Sequence, residues 1–239
     1  MIEEIENKRR HTIDVEALET SKAGYSNGIS TQLKELIDKG EYRSLNDSEK
    51  DEIIKNASLA YGQFLDALGC TWREDPNSME TPTRVSKMFV MDLWRGRYDI
   101  PKNITSFPAD NYSGVVLEKD IPLVSLCSHH HQAILGKVHI AYIPGENGEV
   151  IGLSKLNRIV EHFGRRGAIQ EALTVSIHNA VNYICKNNIG VMVVINATHQ
   201  CVSLRGVKHS GASMVTSEVS GVFADHTKTA KQEVLDLIK

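Results

Sequence analysis

Cys127, His129 and His130 stand together in the run Leu126-Cys127-Ser128-His129-His130-His131, and a second pair, His199 and Cys201, returns some 70 residues downstream. Thiolate and imidazole are the ligands zinc prefers. A Cys-x-x-His pair closed by one distant Cys offers three protein ligands and leaves a fourth position to water. Three ligands point to catalysis, whereas four would point to a structural staple. The spare imidazoles beside the metal are candidates for moving protons, because histidine titrates near neutral pH.

The alternatives are a disulfide and ordinary core packing, the usual fate of a lone cysteine. The chain has four cysteines, and two of them, Cys70 and Cys185, sit in the apolar helical patterns Phe64-Leu65-Asp66-Ala67-Leu68-Gly69-Cys70 and Val181-Asn182-Tyr183-Ile184-Cys185. Both are expected to be packing residues. Cys127 and Cys201 each lie within three residues of a histidine, which favours metal.

A second cluster is basic. In Gly152-Leu153-Ser154-Lys155-Leu156-Asn157-Arg158, Ser154, Lys155 and Arg158 open a helix, with Ser154 and Arg158 four apart on one face. Free backbone N–H groups and the helix dipole already favour an anion there. Cations at a helix N-terminus oppose the dipole, and a polyphosphate would explain their presence. A solvated first turn is the bland alternative.

The elements that must position these groups change period along the chain. Residues 1–28 mix charge without an apolar period and end in Gly24-Tyr25-Ser26-Asn27-Gly28, which reads as a mobile arm. A helical region over 29–108 follows, with a short helix from Thr31 and a longer one capped by Asn46 and Glu49. The longer one carries the stripe Ile53, Ile54, Ala57, Leu59, Ala60 and Phe64. Thr81-Pro82 opens another helix, with Val85, Met88, Phe89 and Leu93 expected on its buried face.

Over 109–239 strands and helices mix. Val115–Glu118 and Leu123–Cys127 read as strands, and Gly136–Ile143 as a half-buried one ending at Pro144. Helices over Lys155–Phe163 and Ile169–Lys186 come next, then strands at Val191–Asn196, Val202–Leu204 and Ser213–Ser217, and a last helix near Thr227–Ile238. This is an α+β layout.

Composition bounds the class. The 239 residues are 41% hydrophobic and 24% charged, enough for one or two globular domains with a sizeable core. No apolar run reaches the roughly 18–20 residues that span a bilayer. The N-terminus lacks the apolar core of a secretory signal, so a cytoplasmic location with reduced thiols is expected and no membrane partner. A formal net charge of -3 gives no support for a nucleic-acid binder, so an anionic substrate must meet local clusters of base.

Four separated segments, Cys127-Ser128-His129-His130, Gly152-Leu153-Ser154-Lys155-Leu156-Asn157-Arg158, Gln170-Glu171 and His199-Gln200-Cys201-Val202-Ser203-Leu204-Arg205-Gly206, resemble the GTP cyclohydrolase I family in order and separation. The likeness covers roughly residues 50–238. It implies a tunnelling-type fold, an antiparallel sheet with a helix pair on one face, here preceded by N-terminal helices. It also implies a homodecamer with active sites shared between subunits, and conversion of GTP to 7,8-dihydroneopterin triphosphate and formate.

By the same resemblance Cys127, His130 and Cys201 would hold Zn2+, and His129, His199 and Ser154 would be catalytic. Gln170 and Glu171 would read the guanine edge; a carboxylate can accept from both guanine N–H groups. Leu153, Ser154, Lys155, Arg158, Arg205 and Arg84 would line the triphosphate and sugar. Purine C8 is a poor electrophile, so zinc would make water nucleophilic near neutral pH while His129 protonates N7. His199 would serve the later sugar rearrangement.

Two positions depart from the family pattern: Ser128 stands where Glu is common, and Gly167 where Pro is common. Gly167 is expected to loosen the approach to the Gln170 helix, and His131 to be a strand neighbour facing away from the metal. His11, His139, His162, His178, His209 and His226 read as ordinary histidines. Two further readings stand beside this one: the related fold member that reduces a deazaguanine nitrile with NADPH through a Cys nucleophile, and a non-enzymatic scaffold with structural zinc. The complete Cys-x-x-His and His-x-Cys pair speaks against the first, and the second would need a fourth protein ligand. Whether the product feeds folate, another pterin or deazaguanine nucleosides is left open by the residues.

Overall fold

The computed structural model describes residues 44–101 and 104–239; the expected arm and the helix from Thr31 lie outside them. Helix α1 spans Asp47–Ala67 and begins with the expected capping box, Asn46 accepting from Glu49 N while Glu49 accepts from Asn46 N. It ends in a Schellman motif: Gly69 takes φ 74°, and Cys70 N donates to Leu65 O. The helix therefore stops short of Cys70, which is exposed rather than packed. Leu59 and Phe64 of the expected stripe are exposed as well, and Ile53 is the buried member.

Helix α2, Thr81–Met88, runs into a π-helical turn over Phe89–Leu93 and then the short α3, Arg95–Tyr98. Pro82, Ser86 and Val90, four apart, are the buried positions, and Met88, which precedes the π turn, faces solvent, contrary to the expected stripe. Leu45, Ile53, Val90 and Tyr98 close a small core of their own, with Trp94 against it.

The larger unit is a four-stranded antiparallel sheet in the order β2-β3-β5-β6, with β2 Val116–Leu126, β3 Ala133–Pro144, β5 Asn188–His199 and β6 Met214–Val219. A two-stranded ribbon pairs β1, Ser106–Pro108, with β4, Glu149–Ile151. The two strands expected before Cys127 are one strand with a bulge. The register shifts between Glu118 and Ile121, Asp120 takes φ 61°, and Asp120 N donates to the buried His139 Nδ1.

Helices α4, Leu153–Gly164, and α5, Gln170–Ile184, cover one face and bury Leu156, Ile159, Val160, Leu173, Ile177 and Val181 against it. The terminal helix α7, Ala230–Ile238, and a 3-10 turn at Gly221–Phe223 cover the other face through Val234 and Phe223. That second cover explains why β3 from His139 to Pro144 is buried on both sides instead of alternating. Cys185 is buried as expected; burial pushes its thiol up to about 11, and it donates to Glu149 O.

The expected strand at Val202–Leu204 is instead a helical turn, α6, Gln200–Ser203. The reason is a shortage of partners: β3 starts at Ala133 and its last pairing with β5 is Ile134 to His199. Beyond that the chain has no ladder to join and closes a turn, Leu204 N donating to Gln200 O. Among the described residues no helix is long and apolar enough to cross a membrane.

Candidate active site and metal centre

The cysteine and histidine motifs meet because β2 and β5 both end at the same rim of the sheet, one on each side of β3. Cys127 directly follows β2 and opens a tight turn in which His131 N donates to Cys127 O. His131 closes that turn with φ 49°, so it is not a strand residue. Its ring lies edge-on to Trp94 at 5.0 Å and to Phe89 at 5.9 Å between centroids, which braces the turn from the π-helical segment. On the other side β5 delivers His199, and α6 folds Cys201 back toward Cys127.

The ligating atoms of Cys127, His130 and Cys201 all lie within 4.8 Å of one another. Tetrahedral zinc with bonds of about 2.0–2.3 Å needs donors only about 3.5–3.8 Å apart, so two sulfurs and one nitrogen at this spacing fit it. Burial, followed by the neighbouring Cys127 thiol, pushes the Cys201 thiol up. A divalent cation relieves both effects by replacing the thiol protons. Three protein donors leave the open position that hydrolysis requires.

His130 Nε2 accepts from Arg205 Nη1 at 3.0 Å. A neutral imidazole has one lone pair. With a cation on either ring nitrogen, His130 would no longer accept from Arg205. His129 Nδ1 lies 3.6 Å from Cys127 Sγ, and its ring is exposed.

His199 is half-buried and hydrogen-bonded through Nε2 to Gln170 Oε1 at 2.8 Å. Burial holds its pKa below the usual histidine value, with nearby Glu171 pulling the other way. Gln170 and Glu171 are the first two residues of α5 and part company there. Glu171 is exposed toward the site, whereas Gln170 is 1% exposed with its amide committed to the chain itself. The expected guanine contact of Gln170 thus has no free side-chain atom to make it.

Gly167, expected to loosen this segment, takes φ 70°, a conformation open to glycine and closed to proline. A Cβ there would stand 2.7 Å from Trp94 Nε1. It precedes the helix by three residues and lies outside its first turn.

The remaining expected anion-binding residues lie on α4 and α2. Leu153, Ser154 and Arg158 are exposed and Lys155 half-buried at the start of α4, and Arg158 lines a cleft of about 670 Å³ with Arg95, Arg165 and Lys50. Arg84, on α2, is ion-paired with Glu80 at 2.7 Å. Sequence reasoning passed over Thr174 and Thr216, which bond around Gln170. The i, i+4 spacing of Gln170 and Thr174 on a helix was the available signal.

The family model for GTP cyclohydrolase I matches residues 58–239. The chain is 41% identical over 180 residues to the GTP cyclohydrolase 1 of Geobacillus sp. (strain WCH70), covering 74% of this chain and 92% of that one. It is 42% identical over 180 residues to that of Geobacillus kaustophilus (strain HTA426), again covering 74% and 92%. Among solved structures, an archaeosine synthase of QueF-like type in the apo form aligns with a TM-score of 0.37 and 20% identity over 45% of this chain and 93% of that one. With nearly the whole length of its curated relatives matched at about two residues in five, and a zinc-competent Cys-His-Cys cluster at the sheet rim, the chain belongs to the GTP cyclohydrolase I family.

Proposed function

We propose that this GTP cyclohydrolase I divides its reaction between two histidines on opposite sides of the Cys127, His130 and Cys201 metal site. The convergence of those three ligand atoms beside His129 and His199 carries the reading. Zinc held there supplies Lewis acidity, which makes water nucleophilic near neutral pH. His129, exposed beside Cys127, delivers a proton to N7 of the purine as C8 is attacked. His199 moves protons in the later opening and rearrangement of the ribose, with Ser154 assisting.

Glu171 accepts from the guanine amide and amino N–H groups, an arrangement a neutral side chain cannot match. Arg205, released once His130 is ligated, joins Ser154, Lys155, Arg158 and Arg84 in holding the triphosphate. Arginine suits paired phosphate contacts and Lys acts as a point charge. Leu153 lines the same approach. The helices α1–α3 support the α+β region over 109–239, which carries the metal ligands.

The site is completed by a neighbouring subunit in a closed homo-oligomer, a decamer by family likeness. Supporting this, among the described residues the sheet is open at β2 and β6, each an edge that a second copy can extend, and the cleft that Arg158 lines includes none of the metal ligands. The test is complementation. Cys201→Ser and Glu171→Ala are each expected to release no formate from GTP alone, and co-assembled oligomers are expected to regain part of the activity. Mixed oligomers verified by mass that stay inactive would refute shared sites, and a wild type that releases no formate from GTP would refute the reaction.

A further inference from the structure

Gln170 sits behind His199, and every polar atom of its side chain is engaged inside the chain. Nε2 lies 3.0 Å from Met214 O, 3.3 Å from Ile195 O and 3.1 Å from Thr216 Oγ1. Two of these are carbonyls, which only accept, so the group facing them is the amide NH2. The orientation of the amide follows from its partners.

The hydroxyls give the same direction. Thr174 Oγ1 donates its one hydrogen to Gln170 O at 2.7 Å. The 2.7 Å contact between the Thr174 and Thr216 hydroxyls must then be a bond donated by Thr216, whose oxygen in turn accepts from Gln170 Nε2. The bonds close a ring, Gln170 amide to Thr216 to Thr174 to the Gln170 carbonyl, that runs one way only. Turning the amide over would set NH2 against His199 and oxygen against two carbonyl oxygens. An unsatisfied buried polar group costs about 1–3 kcal/mol, and such a flip creates several.

Oε1 therefore faces His199 Nε2 at 2.8 Å, and an amide oxygen can only accept. We infer that Gln170 is a positioning residue that holds His199 as its Nε2–H tautomer, with the Nδ1 lone pair turned away from Gln170. Among the described residues Nδ1 makes no hydrogen bond, so it is available. The kinetic consequence rests on the proposed role of His199; the tautomer itself does not. Gln170 is by this account no reader of guanine, and α5 divides its first two residues between orienting the base and binding the purine.

The experiment uses the full zinc-loaded protein with 15N-labelled histidine, the His199 signals being assigned by their loss in His199→Ala. Pyrrole-type Nε2 and pyridine-type Nδ1 are expected for His199. Protonated Nδ1 with bare Nε2 overturns the inference, whatever the enzyme's turnover. Kinetics of Gln170→Leu give a second readout: kcat is expected to fall about 10- to 100-fold, as when the orienting partner of a functional histidine is lost. KM for GTP and the preference for GTP over ATP are expected to hold. A raised KM with kcat intact, or lost base preference, overturns the inference in favour of guanine reading. If Gln170→Leu fails to fold, the nitrogen spectrum of the wild type still decides.

Discussion

Cys127 and Ala168 form an isolated parallel bridge that ties the metal turn to the segment leading into α5. Ala168 N donates to Leu126 O at 3.1 Å and Ser128 N donates to Ala168 O at 3.4 Å. The first metal ligand and the start of the helix bearing Gln170 and Glu171 are thus held in register by backbone alone. A side chain can be exchanged at Ser128 without breaking this clasp, because only its N–H takes part.

Gly167 stands one residue before the clasp, in a left-handed backbone conformation. Its φ of 70° and the indole 2.7 Å from a would-be Cβ make any side chain there costly. Gly167→Ala is expected to destabilise the fold by about 1–3 kcal/mol, the cost of a strained left-handed residue. Gly167→Pro should cost more, because proline's ring fixes φ near -65°. Denaturant midpoints check both. A proline variant as stable as wild type would mean that this segment adopts another conformation.

About one zinc per chain is expected, and Cys127→Ser, His130→Ala and Cys201→Ser should each abolish it, since each removes one of only three protein donors. Metal analysis after dialysis decides the matter. Full occupancy in all three variants would move the metal site elsewhere.

His129→Ala and His199→Ala should retain zinc and bind GTP while turnover falls by about two to four orders of magnitude, the usual share of general acid–base catalysis. They should stall at different points, His129→Ala before the imidazole ring opens and His199→Ala after it. Product analysis by mass separates the two, and near wild-type turnover in both would remove histidines from the mechanism.

Glu171→Gln keeps size and one acceptor but puts an N–H donor against a donor edge of guanine. Sites built to pair a polar edge lose discrimination by about 10⁴-fold or more when that pairing is broken. The preference for GTP over ATP should collapse in this variant, measured as the ratio of kcat/KM values. An unchanged ratio would show that other groups read the base.

His162, on α4, gives a pH signature in stability. Burial, then the nearby Arg166 guanidinium, lowers its pKa from 6.5 to about 4, and Arg166 Nη1 lies 3.2 Å from its Nε2. The folded value is below the unfolded one, so between them the unfolded chain binds more protons and stability rises with pH. The contribution is full above about 6.5 and is lost as pH falls toward about 4. His162→Leu should flatten the dependence of the unfolding midpoint on pH in that window. Parallel profiles for variant and wild type would assign the slope to other groups.

The residue types and their order were enough to pick out the cysteines and histidine that converge as a possible metal site, the capped helix from Asn46 and most of the alternation of strands and helices. Thiolate-plus-imidazole pairs, capping boxes and apolar periods are local properties, written in neighbouring residues. What depended on distant partners was not legible in this way. Met88 came out exposed and Val90 buried, β3 lost its alternation under α7, and Val202–Leu204 had no strand left to pair with. Gln170 is the sharpest case: adjacent to Glu171 in the chain, it looked like a second reader of the base. Only the fold brings Ile195, Met214 and Thr216 around its amide, and those three acceptors turn its oxygen toward His199. A side chain's chemistry comes with its identity, but the atom it presents is set by which groups surround it, and these lie up to 46 residues away.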